Sequence, residues 1–451
     1  MKKLVYFVAL LAMLLLGALT LTALASEEVC VPVPVEKESR AETIPVETPA
    51  PTQTPEETEA PEPGPELMAE EVSLTYEIQG GSAIITGYSG QASGSLVIPE
   101  EIGGFPVTEI DYQAFQGAPF SGRLVIPDSV TTLGTRAFAD CTGLTELVLG
   151  KGILDLGEDT FAGCTGVSSI KYNAVQAADL YILDRIFEGA GTSAGGLDVV
   201  FGDSVKHIPE ALFYEQENVT SLTIGTGVTS IGESAFAKCT GLTEIFYHAI
   251  RMEDLPYTNN VFRYPTVTGA SLTVVFGDEV EYIPANLFHL NASLEHIVLG
   301  KHVEAIGEYA FANCTALEEV VFSGDALNSI GRSAFSFSGL THLELPDSVT
   351  TLGESAFSFC ENLVSVQLGD GLTQIAKKAF YCCYSLESIV IPDGVTTIGD
   401  SAFCDCGLRE LTIGTGITTI EKFAFAFCEY LESIYWNAIH VDILDSSYLQ
   451  I

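Results

Sequence analysis

Phenylalanine returns along this chain at an almost fixed interval, and that interval constrains the fold more than any other feature. It stands at 115, 138, 161, 213, 236, 288, 311, 335, 357, 380, 403 and 425, mostly after Ala and mostly 22 to 24 residues apart. Two gaps of 52 residues split evenly at Phe187 and Phe262 into units of 26. Fourteen Phe-marked coils result, with a superperiod of 75 residues over Phe161, Phe236 and Phe311. A fixed period in the twenties denotes a solenoid, in which each unit buries its apolar face only against its neighbours.

The unit around Phe357 can stand for the others. Leu363, Val366 and Leu368 follow the pattern L-x-x-L-x-L, a short strand with alternate side chains pointing inward. Val349 and Leu352 form a second extended stretch, and Gly353 is read as a turn residue. Ala356-Phe357 is expected to open a short helix or 3₁₀ turn that delivers the ring to the core. The fold class expected is an α/β solenoid: a leucine-rich repeat array with one parallel sheet and short helical or 3₁₀ turns opposite. Tyr76 to Ile85, with Gly80-Gly81 able to adopt positive φ, reads as an N-terminal β-hairpin that caps the open edge.

The units resemble the BspA-like leucine-rich repeats of bacterial surface antigens. The motif I-P-D-x-V-T-x-I-G-x-x-A-F carries the resemblance, as at Ile391 to Phe403, and the match covers about residues 72 to 451. The opening Tyr76-Glu77-Ile78 through Thr86-Gly87-Tyr88 is also similar to that family's usual start. The resemblance implies a secreted or cell-surface protein used in adhesion or protein binding, and it brings no catalytic residues.

The termini are read separately. Residues 1–25 are expected to be a signal peptide: Lys2 and Lys3 precede an apolar run that ends at Ala23-Leu24-Ala25. Residues 26–71 are a Pro/Glu/Thr-rich disordered linker without apolar periodicity. Residues 72–96 form the cap hairpin and 97–451 the repeats. The last coil is read as incomplete, because Ile451 falls where the next Phe is expected. The expected localisation is therefore secreted or cell surface.

Charge then removes partners. With 60 acidic against 19 basic residues the net charge is −41, which opposes nucleic acid and anionic lipid. Membrane contact is expected only through an uncleaved N-terminal segment. An extracellular protein is the expected ligand. A glycan or cell-wall polymer is the alternative, as is a repeat module of a larger protein.

Eleven cysteines raise the question of disulfides. Cys141, Cys164, Cys239, Cys314, Cys360, Cys383, Cys406 and Cys428 each lie three residues after a repeat Phe, which places them in an inward ladder as small hydrophobes. Cys382 and Cys404 fall outside that ladder and are expected to be the more exposed. Their spacing with Cys383 and Cys406 is not that of a structural zinc module.

No catalytic constellation emerges, and no cofactor or metal is expected. Gly191-Thr192-Ser193-Ala194-Gly195 matches a nucleophile elbow in letters but lies in a Gly-rich loop. The seven histidines are scattered and read as surface residues. Candidate partner contacts are the outward strand positions: Glu146, Glu244, Glu319 and Glu410 as an acidic stripe, and Phe246 and Tyr435 as aromatic anchors. Tyr172, Tyr247 and Trp436 mark the handover to longer coils, whose wider core they are expected to fill.

Overall fold

The computed structural model describes residues 72–263, 271–439 and 441. The signal peptide, the linker, Cys30, His440 and Ile451 lie outside the described residues. The described residues wind into a parallel β-solenoid with one broad-ladder strand per coil. Ten consecutive strands, from Leu96–Val97 to Glu319–Phe322, pair in chain order. Five more, from His342–Glu344 to Ser433–Trp436, continue the series as a second sheet. The expectation of one sheet is thus corrected. A narrow ladder of mostly two-residue strands, such as Thr351–Leu352, runs along another side of each coil. It breaks at each 26-residue coil, where the single bridges Gln176–His207 and Arg251–Tyr282 carry the connection.

The hairpin forms as expected. Ser73–Gln79 and Ser82–Ser89 pair antiparallel around Gly80 and Gly81, with φ of +61° and +89°. Its second strand pairs with Phe105–Ile110 and so extends the narrow ladder. Tyr88 lies parallel to Phe115 at 5.7 Å and seats the hairpin on the first repeat ring.

From Phe115 to Phe425 the fourteen rings form one unbroken column. Every adjacent pair is stacked, at 4.8 Å between Phe187 and Phe213 and at 5.9 Å between Phe288 and Phe311. In the long coils, Tyr172 packs on Phe201 at 5.2 Å and Tyr247 on Phe276 at 5.1 Å. Both tyrosines are fully buried, as the wide-core reading expects, whereas Trp436 is 39% exposed and departs from it.

The expected helical turns do not form, and the backbone explains why. All 23 non-glycine residues with positive φ among the described residues stand two before or two after a repeat Phe; around Phe357 they are Ser355 at 60° and Phe359 at 58°. An α-helix needs successive right-handed residues whose N–H groups all point along its own axis. Here alternate N–H groups point to the next coil. Ser355, Phe357 and Phe359 donate to the carbonyls of Lys377, Ala379 and Tyr381 at 3.0, 2.8 and 2.7 Å. The intervening Ala356 and Ser358 close short turns onto Gly353 and Ser355. The result is an arc shared between neighbouring coils.

Gly353 also serves a purpose other than the one expected. Its φ is not positive. An added Cβ would press on the backbone of Gly331 and Arg332 in the preceding coil, so hydrogen there permits close approach.

The cysteine ladder is present, and each rung has a partner. The thiols of Cys141, Cys164, Cys239, Cys314, Cys360, Cys383, Cys406 and Cys428 donate to the carbonyl of the preceding coil's Phe, at 3.0 to 3.3 Å. Burial pushes Cys141 and Cys360 up to about 11 and Cys239 up to about 12. Cys382 and Cys404 are not exposed, at 1% and 4% accessibility. Cys382 follows its Phe by two residues, where the left-handed turn carries its sulfur towards Asp405 of the next coil at 3.8 Å.

Three predictions follow from this packing. Ser355→Gly removes a left-handed penalty of roughly 1–2 kcal/mol, offset by about 0.5–1 kcal/mol of chain entropy. The variant should be more stable by about 0.5–1 kcal/mol in denaturant melts, and a loss of stability would count against the arc. The hydroxyls of Tyr172 and Tyr247 are buried without a hydrogen-bond partner. Removing one in Tyr247→Phe should stabilise the chain by about 1 kcal/mol, the low end of the cost of an unsatisfied buried group. Finally, thiolate is the reactive form of cysteine. The eight ladder cysteines should resist iodoacetamide at pH 8 and react on unfolding, read site by site by peptide mass spectrometry. Native labelling of Cys360 would contradict the ladder.

Candidate binding surface

Side chains of the broad ladder alternate inward and outward, and the parallel register aligns the outward ones into rows that run across the coils. One row carries Arg123, Glu146, Ser169, Asp198, Ser221, Glu244, Thr273, His296 and Glu319. Glu410 occupies the same row of the second sheet, between Ser388 and Ser433. The four glutamates do share one strand position, yet they do not form a continuous acidic stripe. Serine, threonine and histidine interrupt them, although Asp198 adds a further acid to the row. Glu146 also sits between Arg123 at 3.5 Å and Lys171 at 3.0 Å, and Glu319 faces His296 at 3.7 Å.

The neighbouring outward row differs in chemistry. Phe246 pairs in register with Val275, then Val298, then Val321. Phe246, Val275 and Val298 are half-buried and Val321 is 40% exposed. Four consecutive coils thus present an apolar strip on the outer face of the sheet. Thr273, His296 and Glu319 border it as the adjoining polar row. The valines escape a reading of acids and aromatics alone, although the residue between the two inward strand positions would have found them. Tyr435 lies in the corresponding row beyond Thr412 and is 54% exposed. It is far along the chain from Phe246, on a different sheet, so the structure does not bring the two aromatic candidates together.

One polar constellation was not foreseen. His207 Nδ1 lies 2.8 Å from Ser230 Oγ, and its Nε2 lies 2.8 Å from Asp179 Oδ1. Asp179 Oδ1 also accepts the Glu210 N–H at 2.9 Å. Burial would raise the Asp179 carboxyl, but the Glu210 N–H and His207 outweigh it and hold it below its ordinary value. The three residues come from three coils, which hides them from local sequence motifs. The trio is ordered like a nucleophile chain, but acyl transfer also needs N–H groups aimed at a developing oxyanion. The Ser230 N–H is instead donated to Lys206. The Ser193 loop lacks the context of an elbow, since a strand follows it at Leu197–Phe201 and no helix occurs among the described residues. Nor is any group of three or more His, Cys, Asp and Glu among the described residues placed to hold a metal ion.

Comparison with known proteins agrees with the repeat geometry. The BspA type leucine-rich repeat region model matches in six copies over residues 108–190, 180–262, 281–406 and 373–450. Nothing among curated proteins matches the chain. Among solved structures, a leucine-rich repeat protein from Bacteroides ovatus is 24% identical, with 83% of this chain and 90% of that one covered and a TM-score of 0.42. A leucine-rich cell surface protein from Faecalibacterium prausnitzii is 23% identical, with coverage of 81% and 96% and a TM-score of 0.29. The pneumococcal vaccine antigen PcpA is 18% identical, with coverage of 82% and 93% and a TM-score of 0.32. With the family model spanning most of its length in the same units that the ring column defines, the chain belongs to the BspA-type leucine-rich repeat family.

Proposed function

We propose that this protein is an exported binding scaffold that docks an extracellular protein on the outer face of its broad sheet. The apolar strip from Phe246 to Val321 carries the reading. An apolar strip on a soluble surface, rimmed by polar side chains, marks an interaction site. Its side chains stand on paired strands, so little conformational freedom remains to be lost on binding. The excess of 41 negative charges favours a partner of basic or neutral surface and disfavours nucleic acid. In this proposal the apolar N-terminus directs export, and the Pro/Glu/Thr-rich linker holds the repeats away from the cell surface.

A glycan is the second reading, favoured by the exposed rings of Tyr435 and Phe337, the latter stacked on Phe359 at 4.4 Å. The full chain should be probed in parallel against an extracellular-matrix protein panel and a glycan array. Capture of a protein but no glycan is the expected result. Phe246→Ala should then weaken binding by about 10- to 30-fold, as for an interface hot spot worth about 1.4–2 kcal/mol. Val321→Lys should weaken it further. Unchanged affinity in both variants would remove the strip from the site, and glycan capture sensitive to Tyr435→Ala would establish the alternative.

A further inference from the structure

The two 26-residue coils lie 75 residues apart, so each serves as a control for the other. Their equivalence is set by geometry as well as by count. Gln176 bridges His207 as Arg251 bridges Tyr282, and Asp179 accepts the Glu210 N–H as Asp254 accepts that of Ala285. At the second coil, Met252 is buried and the Tyr282 hydroxyl donates to Asp254 at 2.7 Å. At the first, the positions of Met252, Glu253, Tyr282 and Ala305 are taken by Ala177, Ala178, His207 and Ser230. All four of these changes line one open cleft of about 590 Å³, together with Leu154, Asp155, Gln176 and Asp179. Truncating the buried Met to Ala contributes to opening it.

The chemistry of the lining selects a ligand. The lining brings in the carboxylates of Asp155 and Asp179 and the amide of Gln176. The ring nitrogens of His207 are already engaged with Ser230 and Asp179. The nearby Lys206 ammonium is directed to the Gly227 carbonyl at 3.2 Å. Glu210, on the same edge, is raised by burial and then by the carboxylates of Asp179 and Glu233. Leu154, Ala177 and Ala178 supply methyl surface beside these acceptors. We infer that the cleft binds a primary alkylammonium, with its charged head on Asp155 and Asp179 and its aliphatic stem against Leu154 and the two alanines. The head group belongs either to a lysine side chain of a protein or to a free diamine. The site stands on the narrow ladder and does not depend on the Phe246 strip.

The test is calorimetric titration of the full chain at low salt with 1,5-diaminopentane and with N-acetyl-lysine methylamide, 1-pentanol serving as the neutral control. Saturable 1:1 binding of an amine, and none of pentanol, is expected. Ala177→Met should weaken it at least 10-fold, and the second coil shows that the fold accepts Met there. Asp155→Asn should weaken it about 3- to 10-fold with the thermal melt unchanged. The stronger of the two amines identifies the source. Diffuse attraction to a polyanion predicts equal binding by wild type and Ala177→Met, since that change carries no charge. That result, or the absence of saturable binding, would overturn the site.

Discussion

The hydrogen bonds from most repeat Phe residues and their second neighbours to the next coil hold this molecule together. They go with left-handed residues on both sides of most repeat Phe residues among the described residues, at roughly 1–2 kcal/mol each where the residue is not glycine. A conformation of that cost persists only where the surroundings determine it. The determining elements are visible: a ring stacked above and below, a thiol bonded to the neighbouring Phe carbonyl, and a broad ladder whose register admits no slip. A change of one residue in that register would turn every inward leucine to solvent. Stability is accordingly a property of neighbouring coils together, as in other one-dimensional arrays.

Much of this was legible in the sequence, because periodicity reports burial directly. Phe357, Leu363, Val366 and Leu368 were placed correctly from spacing alone, and so was the cysteine ladder. The turn was not. Ala-Phe following a short polar stretch has the composition of a helix start, and the left-handed positions are filled by Ser355, Lys378, Asp405 or Phe427, residues that carry no mark of positive φ. Glycine would have signalled the conformation, and the array uses it at only some rungs, such as Gly117 and Gly163. The same blind spot misplaced Cys382, whose burial follows from the turn.

The candidate surface was legible by position and illegible by neighbourhood. Glu146, Glu244 and Glu319 do occupy one outward row, but a row is assembled from different coils. Its character depends on what stands one rung away. Arg123 and Lys171 beside Glu146 turn an expected acidic patch into a local ion-pair cluster, and exposed pairs of this kind contribute little to stability. Conversely, Val275, Val298 and Val321 look unremarkable singly and become a surface only when the ladder brings them beside Phe246.

In a repeat array, what recurs at every rung answers to folding, since the next coil demands it. Specific recognition has to be built from departures. Phe246 is such a departure, a ring in a row otherwise held by valine, threonine and lysine over ten strands. Ala177, Ala178, His207 and Ser230 form another, four changes from their counterparts one superperiod away that meet around a single cleft. The second coil fills the same place with Met252 and Tyr282 and keeps the backbone contacts of Asp254. Folding therefore does not require the cleft, which leaves its lining free to serve a ligand.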